Sequence, residues 1–257
     1  LVLAVCLAAL FYPRASMRFS EGFLLLLGAF AELHAEIRAA VQAVGAPLPE
    51  SVQLVPGGDL FLVHLPGTSN ARFYIGIGLL PHLTRGEFCA LTAQEFARNY
   101  MPARSAANRV MRFRQRAVSQ LSRPDTLVNH LYLRFMTFFL DFTHPVARRQ
   151  ELNADAAAAR AVSAEALVSG LRRQIVLRPG FDAFWNTEIV PVLDAGFYPP
   201  ITQGFSMYIE SAPIREIVRE VTALELRRTD ENESENPPPL SERIRAVQAY
   251  VSSEIGR

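Results

Sequence analysis

The chain of 257 residues contains no lysine: all 26 of its basic residues are arginine. Arginine keeps its proton at any physiological pH. Schiff-base chemistry and a lysine general base are therefore excluded. Cysteine is scarce, with two residues, Cys6 and Cys89, and no C-x-x-C spacing. That leaves no disulfide framework. A strong charge of one sign is missing too. The formal balance is +1, which gives no general attraction for nucleic acid. The five histidines, His34, His64, His82, His130 and His144, include no pair at i,i+4. No helix therefore carries a two-histidine metal face. There is no G-x-S-x-G elbow, no P-loop and no EF-hand loop. YIGIGLL (74–80) lacks the third glycine of a dinucleotide fingerprint.

What is present is hydrophobic. Half of the residues are apolar, 50%, enough to build the core of one large domain. The chain opens on LVLAVCLAALFY, twelve apolar residues followed by Pro13 and Arg14. A span needs ~20 residues. The run fits the tail of a truncated transmembrane helix, a signal-peptide core or a buried terminal helix. Arg14 and Arg18 flank it, which favours the first and places the rest on the cytoplasmic side of a membrane. Residues 1–19 are thus read as the end of a membrane segment with its flank, and 20–257 as a single domain.

Within that domain the apolar run FLLLLGAF leads into an amphipathic helix over 23–47, ended by Gly45 and Pro47. Three short β-rich stretches follow, 51–55, 59–67 and 71–80, separated by glycine and proline. They predict a small antiparallel sheet. Thr84 and Glu87 form a capping box that starts the next helix. The arginine-rich text at 103–121 reads as a solvated helical face, and 125–140 as a core helix. Alanine-dense 144–174 is helical. Helical pieces broken at Gly196 and Pro199-Pro200 lead to TDENESENPPP (229–239), an exposed loop. A terminal amphipathic helix over 240–255 closes the chain. The fold class is α+β, mostly helical.

The helix after Thr84 lies in the block GLLPHLTRGEFCALTAQEFARNY (78–100) and contains LTAQEFARNY (91–100). It has the frame of a zinc-protease helix, H-E-x-x-H, with Gln94 and Arg98 where the histidines would stand and Glu95 between them. Three further blocks join it: the amphipathic helix and sheet before residue 80, ELNADAAAARAV (151–162) and NPPPLSERIRAV (236–247). In order and spacing the chain resembles the membrane zinc metallopeptidases of the HtpX heat-shock protease and CAAX prenyl protease family. The resemblance spans nearly the whole chain. It implies a zincin-like domain with a small sheet and an active-site-type helix.

In that family two histidines and a glutamate hold zinc, and the glutamate after the first histidine takes a proton from the metal-bound water. Zinc lowers the pKa of that water to about 7. Position by position, the resemblance makes Glu95 the general base, Glu151 the third ligand and Asp155 an acid that orients the first histidine. It makes Arg243 the arginine of the terminal block. The departures are Gln94, Arg98 and Asn236, at three positions that are histidine in the family. A glutamine amide is a poor zinc ligand, and arginine has no lone pair to give. No cofactor is therefore expected, although the family uses zinc. An ion pair from Arg98 to Glu151 is expected to take over the metal's role of joining the two helices. His130 and His144 are the histidines that could rebuild a metal site with Glu151; His144 precedes Glu151 by seven residues, nearly two helical turns, but Pro145 is expected to interrupt the helix between them. Cys89 sits on the apolar side of its helix and reads as core, not as the partner of His82.

The expected function is a catalytically inactive, membrane-associated polypeptide-binding or regulatory protein. The sheet edge would receive an extended peptide by main-chain hydrogen bonds, with the strand at 71–78 as the contact. The alternatives are an active zinc endopeptidase with an atypical site and a membrane-anchored structural scaffold.

Overall fold

A computed structural model describes residues 22–64, 70–100, 127–228 and 238–255. The N-terminal segment at 1–19, the arginine-rich text at 103–121, Asn236 and most of the loop at 229–239 lie outside the described residues.

The apolar run at 23–30 does not become helix. Phe23–Leu24 forms a short strand, β1, and the helix α1 begins only at Ala31 and runs Ala31–Ala43. The backbone of this run is satisfied by the sheet, with the Leu25 amide donating to the Val52 carbonyl at 3.0 Å. Leu25 is buried, while Phe23, Leu24, Leu26, Leu27 and Phe30 are exposed. Apolar composition alone allowed helix or strand, and edge pairing decided for strand. Gly45 then adopts φ +66°, a conformation that favours glycine, and turns the chain back toward the sheet.

Strands β2 (Ser51–Val55), β3 (Leu60–His64) and β4 (Ala71–Gly76) complete a sheet of order β1-β2-β4-β3. The predicted antiparallel sheet is in fact mixed. β2 and β4 run parallel, and the β1–β2 and β3–β4 pairs are antiparallel. The hairpin rule pairs neighbours in sequence, so it places β3 beside β2. Instead β4 inserts between them, buried along Phe73–Gly76. This also corrects the expected peptide contact at 71–78, because β4 is an interior strand with neighbours on both sides. The turn between β2 and β3 folds tightly over β4. A side chain at Gly76 would collide with the backbone of Gly57 and Asp59.

Helix α2 (Arg85–Tyr100) packs against α1, β3 and two long helices, α3 (Leu127–Ala161) and α4 (Ala164–Phe184). Every residue from Glu87 to Ala97 is buried. Phe96 of α2 meets Phe73 of β4 edge-to-face at 5.2 Å, and both are fully buried. Such a side chain contributes about 1.5–3 kcal/mol by leaving water. The expected interruption at Pro145 does not occur, and α3 passes through it. The predicted helix at 144–174 divides instead at 162–163, where Ser163 caps α4 by accepting from the Ala166 amide at 3.3 Å. Phe138 and Phe142 of α3 are exposed and stacked on each other, so this part of the predicted core helix faces outward.

Beyond α4 the chain forms a short π-helical turn (Trp185–Ile189), then α5 (Val190–Asp194), α6 (Ile201–Glu210), α7 (Ala212–Arg227) and α8 (Leu240–Ile255). Among the described residues no helix is long and apolar enough to cross a membrane.

Candidate functional site

The capping box sets where α2 starts. The Thr84 amide donates to Glu87 at 2.7 Å, and the Glu87 amide donates to the Thr84 hydroxyl at 3.3 Å. Glu87 is buried and also accepts from Ser169 and, at 2.9 Å, from Arg173 of α4. Burial pushes its carboxyl up, but Ser169, Thr84 and Arg173 outweigh that and hold it below its usual range. This cap fixes the helical phase, and hence the direction in which Gln94, Glu95 and Arg98 leave α2.

Those three side chains meet α3 and α8. The Gln94 amide donates to Glu151 at 2.9 Å. Arg98 donates to Glu95 one turn away, and its other terminal nitrogen lies 3.6 Å from Glu151. Glu95, not Glu151, is therefore the hydrogen-bonded partner of Arg98, and Glu151 is held at ion-pair distance. Arg243 of α8 makes a bidentate contact to Asp155, at 2.7 and 2.6 Å, and lies 3.2 Å from Glu151. Glu151 and Asp155 are one turn apart on α3, so both face the same way. Asn236 lies outside the described residues, but the adjoining Pro238 and Pro239 line the same cleft.

Burial decides the electrostatics. It would push the Glu151 carboxyl up, yet Arg98, Arg243 and Gln94 more than offset it and hold the group low. Asp155 is fully buried, which pushes its carboxyl up against the pull of Arg243. Burial would draw the Arg243 guanidinium down, but Asp155 and Glu151 hold it above its ordinary range. The result is a network of alternating charge joining α2, α3 and α8.

The same face of α2 reaches the sheet. The amide of Leu62, on β3, donates to Glu95 at 3.0 Å, a buried contact. Asn99 donates to the same Glu95 oxygen at 3.0 Å and to the Glu95 backbone carbonyl at 2.9 Å. Glu95 thus accepts from a backbone amide, a guanidinium and a side-chain amide. Through the Leu62 amide it ties helix to strand in this structure.

A cleft of about 510 Å³ opens on this network, lined among others by Asp59, Leu60, Gln94, Glu95, Arg98, Glu151 and Arg243. These residues do not fit a zinc ion. Gln94 turns its NH2 group, a donor, toward the carboxylate that would be the remaining ligand. Arg98 and Arg243 bring two permanent positive charges to that carboxylate, at 3.6 and 3.2 Å. A dication would have to displace both.

His144 is buried on α3, two turns before Glu151. Cys89 and His82 do not form a pair. The Cys89 thiol donates to Glu36 at 3.0 Å, and burial together with that carboxylate pushes it up to about 12. His82 lies 3.4 Å from the Ser206 hydroxyl and edge-on to Phe205.

Several contributors were not foreseen from the sequence. Asn99 stands four residues after Glu95, a spacing that could have flagged it. Gln150 donates to the Arg98 backbone carbonyl at 2.5 Å, and Arg148 donates to Glu242 at 3.1 Å, clamping α8 to α3. The Leu62 amide had no signal at all, being a backbone group on a strand 33 residues away.

No family model matches the chain, and neither does any curated protein or solved structure.

Proposed function

We propose that the chain is a non-catalytic, membrane-associated relative of the HtpX and CAAX prenyl protease peptidases, with a zincin-like domain that binds polypeptide without cutting it. One observation carries the reading. The Arg98 guanidinium lies between Glu95 and Glu151, the two carboxylates that would serve a metal and its water. A cation belonging to the chain stands where the family has one from solution. Gln94, Asp155 and Arg243 gather at the same place from three helices, which supports descent from a working site over chance likeness in a single helix. The exposed apolar side chains Phe23, Leu24, Leu26, Leu27 and Phe30 follow the apolar run at 1–12 and support contact with a membrane.

The test is metal binding. Purified protein is expected to hold no stoichiometric zinc, whereas the double variant Gln94→His with Arg98→His gains a zinc site completed by Glu151. Stoichiometric zinc in the native chain would return the atypical-peptidase reading. A folded double variant that binds none would remove the peptidase ancestry.

A further inference from the structure

Strand β3 is the only edge of useful length in the sheet among the described residues. β2 and β4 are interior, and the opposite edge, β1, is two residues long. One side of β3 pairs with β4, and the other faces α2. The residues whose backbone points to that outer side alternate, and Leu60 and Leu62 share this parity. The structure shows where their amides go. Leu62 donates to Glu95 at 3.0 Å and Leu60 donates to Asp59 at 2.8 Å. Asp59 is steadied by Gln174 and lies 3.3 Å from Arg178. Two outward donors of the edge, the Leu60 and Leu62 amides, are thus held by carboxylates of the chain itself. Asp59, Leu60 and Glu95 all line the cleft of about 510 Å³, so the start of this edge and the carboxylate that holds the Leu62 amide both reach it.

We propose that β3 is a self-capped docking strand: an extended polypeptide segment adds along its cleft-facing edge, and Glu95 leaves the Leu62 amide to admit it. This rests on the polypeptide-binding reading above and adds how access is controlled. An extended chain is the occupant that suits a strand edge, because its carbonyls recur at the spacing of the strand's amides. The carboxylate can let go without becoming an isolated buried charge. Arg98 and Asn99, both on α2, hold Glu95 independently of β3. The Arg98 side chain is 34% exposed, so the Glu95–Arg98 pair can shift together toward the cleft. Release then breaks one backbone hydrogen bond, which the incoming carbonyl replaces.

The probe is a short fluorescent peptide alternating valine and threonine, titrated into the full chain. Glu95→Ala removes the competitor and is expected to bind the probe about tenfold more tightly, the scale of one freed hydrogen bond to a charged group. Glu95→Gln keeps an oxygen for the Leu62 amide and is expected to stay within about threefold of the native chain. Equal affinity in the native chain and a folded Glu95→Ala variant overturns the cap while leaving polypeptide binding intact. No binding by either overturns the polypeptide reading and the cap with it. A measurement on the native chain does not depend on the variants folding. Bound probe must shift the amide resonances of Leu60 and Leu62, and binding that leaves them unmoved places the peptide elsewhere and refutes the docking strand.

Discussion

Arg243→Met tests whether the buried charge network holds the domain together. The guanidinium touches Asp155, which is 0% exposed, and Glu151, which is 6% exposed. Methionine fills much of the vacated volume, so the cavity contribution is small. What remains is an uncompensated buried carboxylate. Breaking one side of such a pair costs about 3–5 kcal/mol. Arg98 still lies 3.6 Å from Glu151, so most of the loss falls on Asp155. In a domain of this size the expected fall in Tm is about 6–20 °C. The pH dependence is the sharper test. In the native chain Glu151 is held below its usual range. Its contribution is therefore complete above the unfolded value of ~4.3 and fades as pH falls through the lower folded value. Burial already holds the Asp155 carboxyl above its ordinary value in the native chain, and in the variant it loses the opposing pull of Arg243 and rises further. The folded state then takes up protons first, so the stability gap from the native chain narrows as pH drops from about 7 to about 4.5. Urea unfolding at both pH values reads this directly. A loss under about 1 kcal/mol at neutral pH, or a gap that does not narrow in acid, would refute the reasoning. Adding Asp155→Asn to Arg243→Met should recover a substantial part of the loss, since the amide removes the buried charge.

The remaining expectations are smaller. Glu87→Ala removes the capping-box acceptor and the partner of Ser169 and Arg173. It should cost about 2–3 kcal/mol in chemical denaturation, and a loss within about 0.5 kcal/mol would show that the cap does not set the start of α2. Because the Glu87 carboxyl is held low, its share of stability should be present above pH ~4.3 and disappear in acid. Cys89, pushed up to about 12, should react with iodoacetamide at pH ~8 at least a hundredfold more slowly than a free thiol. Measured in a Cys6→Ser background, labelling at the rate of a free thiol would mean the Glu36 contact does not persist.

Most local elements were legible because their signals are local. The capping box at Thr84 places the start of α2, the bounds of the terminal helix follow its amphipathic pattern, and the three main strands sit between their glycines and prolines. The residues that meet at the cleft were named beforehand as well, but only jointly. Gln94, Glu95, Arg98, Glu151, Asp155 and Arg243 were each ordinary alone, and the family resemblance of their blocks, taken in order, is what named them. Their pairing was not legible. Arg98 can reach either Glu95 or Glu151, and helical spacing alone does not choose between a neighbour on the same helix and a residue on another.

What the amino-acid order determined by itself was which residues share a face of α2 and of α3, Gln94 with Arg98 and Glu151 with Asp155. It also ruled out lysine chemistry and a two-histidine metal helix. Tertiary structure decided the rest. β4 entered between β2 and β3, making the sheet mixed and leaving β3 as the edge, because strand order depends on which surfaces bury best and not on neighbours in sequence. α3 continued through Pro145, which the sequence alone reads as an interruption. Glu95 became a tie to the Leu62 amide because a backbone donor carries no signature of its own residue type, and only folding brings strand and helix within reach.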